Sequence, residues 1–95
     1  MYLFSLNAVS KTSNADFREG EEVPFIVYID FADLFGAEQL AKVFVMREGF
    51  RDVKIEKRKH VDNRTLSEGQ GGLAQDPKVQ EALAKGYCVQ AFSAH

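Results

Sequence analysis

Two segments of this chain stop in the same way. Gly49-Phe50 and Gly86-Tyr87 each follow a helix-patterned stretch and lead almost at once into strand-patterned residues. These are Val53-Lys54-Ile55-Glu56-Lys57 in the first case and Cys88-Val89-Gln90-Ala91-Phe92 in the second. A glycine just past the last helical turn can adopt the left-handed conformation that closes a helix, and the apolar residue beside it packs back on the final turn. Two such transitions within 95 residues predict helices laid against a sheet. That length fits one domain, residues 1–95, because two independent cores would each be too small.

The remaining pattern fills in the order. Residues 2–9 alternate loosely and read as a first strand. Residues 10–22 are polar and read as a loop, in the manner of a wide hairpin connection. Residues 23–31 are the strongest strand. Val23, Phe25, Val27, Ile29 and Phe31 share one face and Ile26 and Tyr28 the other, which suits a central position. Pro24 stands at its beginning, where a missing N–H is tolerated.

Residues 34–48 are expected to be helical, with Asp33 as N-cap and Ala37, Leu40, Ala41, Val43 and Phe44 as the apolar stripe. Four consecutive apolar residues, Val43 to Met46, are wider than a normal stripe and point to contact on two sides. Residues 52–61 read as an edge strand, with Val53, Ile55, Lys57, Lys59 and Val61 on one face and Lys54, Glu56, Arg58 and His60 on the other. Residues 62–75 are a Gly-rich loop in which Arg64-Thr65-Leu66 could form a short strand. Asp76-Pro77 opens a second helix that Gly86 ends, and residues 87–93 form the last strand.

Strand, helix, strand, a short strand, helix, strand is the ferredoxin-like order. The expected class is therefore α+β: a ferredoxin-like sandwich whose mainly antiparallel sheet of four to five strands carries two helices on one face, with an extra N-terminal strand. A four-stranded mixed sheet without the short strand is the alternative. The eight Phe, with no Trp, suggest a Phe-built core.

Composition narrows function mostly by exclusion. A net charge of −2 argues against general phosphate-backbone binding, so nucleic acid is an unfavoured partner. A single cysteine, Cys88, rules out an internal disulfide and leaves the cytoplasm as the expected location. No apolar run approaches the ~20 residues of a membrane span.

The local motifs are weak. Lys85-Gly86-Tyr87 and Phe92 match the ends of the RNA-recognition octapeptide, but Cys88 and Val89 stand where Gly or Ala and a stacking aromatic belong. Gly69-Gln70-Gly71-Gly72 lacks the Gly-Lys-Ser/Thr of a phosphate loop. Asp30, Asp33 and Glu38 read as cap and turn residues before they read as metal ligands. Cys88 and His60 could form a nucleophile–base pair only if their strands adjoin.

Exposed aromatics and cations are the better lead. An open sheet face carrying Ile26, Tyr28 and Phe92, together with the basic cluster Lys57, Arg58, Lys59, His60 and Arg64, forms the candidate partner surface. The expectation is a small non-enzymatic protein-binding or regulatory module without a cofactor, acting on a protein partner or on a second copy. The alternatives are a small enzyme with a site between the sheet and loop 62–75, and nucleic-acid binding through residues 54–64.

Overall fold

The computed structural model describes residues 1–13, 17–61 and 76–92. Strands β1 (Tyr2–Ser10) and β2 (Glu22–Ile29) are followed by helix α1 (Leu34–Arg47). Strand β3 (Phe50–His60), helix α2 (Pro77–Lys85) and strand β4 (Tyr87–Ala91) complete the order. The four strands make one antiparallel sheet, ordered β3-β1-β2-β4. The fold is α+β.

Alternation along β1 and β2 sets the two faces of the sheet. Phe4, Leu6 and Ala8 lie opposite Val27, Phe25 and Val23 across the hairpin, and all six are buried. Directly opposed residues of an antiparallel pair point to the same side, so these six form one apolar layer. Helix α1 closes it with Ala37, Ala41 and Val45. Three small or medium side chains at four-residue spacing let the helix lie close to the sheet. Asp33 caps the helix, its carboxylate accepting from the Gly36 N–H at 2.7 Å. The connection between β1 and β2 closes through Gly20, whose φ of 84° needs no side chain, and the Gly20 N–H donates to the Ser10 carbonyl.

The other face of the sheet has its own core. Tyr28 lies opposite Leu3 and Cys88. Met1, Tyr28, Val61 and Cys88 pack with Val79 and Ala82 of α2, with Leu3 and Ile26 at the margin. The two helices therefore cover opposite faces, which corrects the expectation that both lie on one. The reason is visible in β2, where Val27 and Ile29 on one side and Tyr28 on the other are all buried. A strand apolar on both sides calls for cover on both.

The N-terminal strand is also placed differently from the expectation. It is no appendage to the sheet: β1 is central, pairing with β2 on one side and β3 on the other. β3 is an edge strand, as its charge pattern predicts. The short strand expected at 64–66 lies outside the described residues.

Both glycine stops close their helices. Gly49 follows α1 with φ 97°, and Gly86 caps α2 with φ 95°. The aromatics beside them go separate ways. Phe50 returns to the α1 side and meets Phe25 edge-on at 4.8 Å. Tyr87 does not pack back on α2; it lies opposite Ile29 on the α1 side of the sheet and stacks on Phe44 of α1 at 4.0 Å. Phe4, Phe25 and Phe50 bear out a Phe-built core, whereas Phe31, Phe35 and Phe92 are exposed.

Candidate functional site

The basic residues of β3 do not form one patch. The register between β1 and β3 slips between Ser5 and Leu6, where Lys57 faces Ser5 but Ile55 faces Leu6. One extra residue, Glu56, is accommodated there as a bulge. A one-residue slip moves every later side chain to the other face. Lys57, Lys59 and Val61 thus leave the side of Val53 and Ile55, contrary to strict alternation from residue 53 to 61. A second irregularity between Asn7 and Val9 is taken up beside Asp52, which holds φ 52°.

The slip divides the candidate residues. Arg58 lies opposite Phe4 on the α1 side, and its guanidinium donates to Glu38 of that helix. His60 lies opposite Tyr2 on the same side, with ring centroids 4.7 Å apart. Lys57 and Lys59 lie on the α2 side, opposite Ser5 and Leu3. Arg64 falls outside the described residues.

The apolar members separate too. Tyr28 is buried, 6% exposed, beneath α2, so the expectation that it stands on an open face is overturned. Burial first, then the charges of Asp76 and Cys88, raise its pKa above the ordinary phenol value. Phe92 is exposed beyond the end of β4, its N–H donating to the Pro24 carbonyl. Phe92 stands at the β4 edge, across the full width of the sheet from the lysines of β3. Ile26 alone of the three stays with them.

Two rows run across the α2 side of the sheet, read from the strand register. One is Lys59, Leu3, Tyr28, Cys88; the other is Lys57, Ser5, Ile26, Gln90. Helix α2 covers the Tyr28 and Cys88 end. At the other end a groove of about 370 Å³ opens over Leu3, Ser5 and Ile26, with Lys57 and Lys59 beside it; Phe4 and Arg58 border it as well, their side chains turned to the α1 side. None of the described residues lining it is acidic. It offers an apolar floor with ammonium groups at the side, an arrangement suited to an apolar side chain flanked by carboxylates. The sequence signals it through Ile26 and the lysines; Leu3 carries no such signal, because its place opposite Lys59 depends on the bulge.

The nucleophile–base pair does not assemble. β3 and β4 are the two edges of the sheet, with β1 and β2 between them, on the order of 14 Å apart at ordinary strand spacing. His60 and Cys88 also lie on opposite faces. Burial and hydrogen bonding to the Glu81 carboxylate push the Cys88 thiol up to about 11, the reverse of what a nucleophile needs. The same bond, then Lys85, lowers the pKa of Glu81.

Asp33 serves as a cap and Glu38 accepts from Arg58. Among the described residues no three His, Cys, Asp or Glu side chains are grouped so as to hold a metal ion. No helix among them is long and apolar enough to cross a membrane. Comparison with protein-family models, curated proteins and solved structures finds no match to this chain.

Proposed function

We propose that the chain is a non-enzymatic binding module and that the groove beside β3 receives an acidic protein segment bearing an apolar side chain. The observation that carries this reading is the combination at one place of an apolar floor, Leu3 and Ile26, with Lys57 and Lys59 and with no carboxylate among its described lining residues. An aliphatic side chain would bury against the floor, while carboxylates on either side of it meet the ammonium groups. The same reading takes residues 1–95 as one domain. It treats the architecture as ferredoxin-like in its β2–α1–β3 crossover, with the N-terminal strand filling the slot that a hairpin strand after β3 would otherwise occupy.

The test is a fluorescence-anisotropy titration with a short labelled peptide of alternating Glu and Leu. The expected result is binding that weakens at least tenfold in Lys57→Glu/Lys59→Glu and in Ile26→Asp, and that falls with added salt. Binding that is absent, or equal in all three proteins, would refute the assignment. Ile26→Asp also needs a thermal melt to confirm that it folds; the lysine variant is exposed and serves as the independent arm.

A further inference from the structure

Helix α1 carries a second apolar face, directed away from the sheet. Ala37, Ala41 and Val45 are its buried row. On the opposite side Phe35, Gln39, Val43 and Met46 follow one another at helical spacing. Phe35 is 69% exposed, Val43 42% and Met46 43%. The Phe31 ring extends this face over the first turn. A Cβ added at Gly36 would lie 2.6 Å from its Cε2, so the ring sits in the hollow that the glycine leaves. This is the second contact side that the run Val43 to Met46 implies, and no described residue covers it.

The pattern along the helix is complementary to itself. At 100° per residue, Glu38 and Lys42 flank one side of the apolar row, and Asp33 and Arg47 flank the other. If a second α1 is laid antiparallel on this face, with the two-fold axis at the level of Leu40 and Ala41, each flank meets the same flank of its mate. Lys42 then comes level with Glu38 of the partner subunit, and Arg47 with Asp33 of the partner subunit. Phe35 comes level with Met46 of the partner subunit, a flexible thioether side chain against an aromatic ring. Gln39 comes level with Val43 of the partner subunit. Both flanking cations come level with a carboxylate, Glu38 while it also holds Arg58 of its own chain and Asp33 while it also caps the helix, and the Phe35 ring comes level with Met46; such a pattern suits an isologous interface.

We propose that this chain self-associates through the outer face of α1, as a reversible antiparallel homodimer. The occupant is a second copy because the charge order of the flanks satisfies itself under a two-fold axis. A single helix pair falls in the size class below about 1,200 Å², so the association is weak and concentration-dependent. It leaves the groove on the α2 side of each copy free, so it stands apart from the function proposed above.

Sedimentation velocity over a wide protein concentration range tests it. The mass should rise from 10.7 kDa towards twice that value. Phe35→Asp and, separately, Met46→Asp should hold the protein at the monomer mass throughout. Both sites are exposed, and an unchanged circular-dichroism spectrum would show that the fold is intact. Lys42→Glu should weaken the dimer several-fold and added salt should weaken the native dimer, whereas Lys57→Glu/Lys59→Glu should leave it unchanged. A monomer at every concentration would overturn the proposal. So would a dimer that survives Phe35→Asp and Met46→Asp, since it would be built on another surface.

Discussion

The rings of Phe44 and Tyr87 stack at 4.0 Å with 15° between their planes. The contact joins the third turn of α1 to the first residue of β4, across the edge of the α1 layer. It explains why Tyr87 turns away from α2, the helix it follows in sequence. It also ties the late β4 segment to a helix formed from the middle of the chain.

A double-mutant cycle measures that tie. Phe44→Leu and Tyr87→Leu each remove one ring and keep an apolar side chain. Chemical denaturation should return a coupling of about 0.5–1.5 kcal/mol beyond the sum of the single effects. Simple additivity would mean that the two rings do not support one another.

Cys88 should behave as a core residue. At pH 8 a disulfide reagent should leave the native thiol unmodified and label it once denaturant is added. Its folded pKa lies above its ordinary value, so the neutral thiol is the form that the fold favours. The stability it contributes is complete below its ordinary value of 9.0 and is lost as pH rises towards about 11. Thermal melts of the native protein should therefore fall more steeply across that window than those of Cys88→Ala. Parallel curves would show that the thiol does not feel its burial.

Gly86 has no atom within 4 Å of where a Cβ would stand, yet its φ is 95°. Gly86→Ala should thus cost about 1–2 kcal/mol from backbone conformation alone, with no packing penalty. Replacement by D-alanine in a synthetic chain should restore or exceed native stability. If L-alanine is neutral, the helix must end by another geometry.

Arg58 and Lys57 are sequence neighbours with different roles. Arg58→Ala breaks the ion pair with Glu38, a partly exposed bond worth about 1 kcal/mol or less. It should leave peptide binding in the groove within twofold of native, whereas Lys57→Ala should weaken that binding measurably. Equal losses in the two variants would mean that the cations act as a diffuse patch rather than from one face.

What could be read in advance, and what could not, follows from the range of the interactions. The helix stops, the two aspartate caps and the strands of the β1–β2 hairpin are set by near neighbours, and Gly49, Gly86, Asp33 and Asp76 announce them in the chain. The edge position of β3 shows in its lysines. The placement of α2 does not show in β2, where Tyr28 alternates like a surface aromatic; it follows from Val79 and Ala82, which need an apolar partner when the α1 face is already filled. The division of the basic cluster is not legible in the chain because it depends on the bulge at Glu56. Nothing within β3 marks that residue as extra; only its pairing with β1 does. The groove inherits the same difficulty, since Leu3 and Lys59 share a row only after the slip.

The central position of β1 has a consequence for the order of folding. Its first partner, β2, follows it closely, and the hairpin can close early. Its second partner begins at Phe50, so Tyr2 must wait for His60. Contacts at that sequence distance carry a loop-closure cost that slows their formation. Until β3 arrives, an intermediate holding β1, β2 and α1 presents an unpaired β1 edge bordered by Phe4 and Leu6. That edge is a template for a strand from another chain. The lysines that guard the finished sheet stand on β3, the last strand to reach β1, and protect nothing before it docks. If the hairpin closes before β3 docks, that interval is when misassociation is expected, and aggregation during refolding should rise with protein concentration.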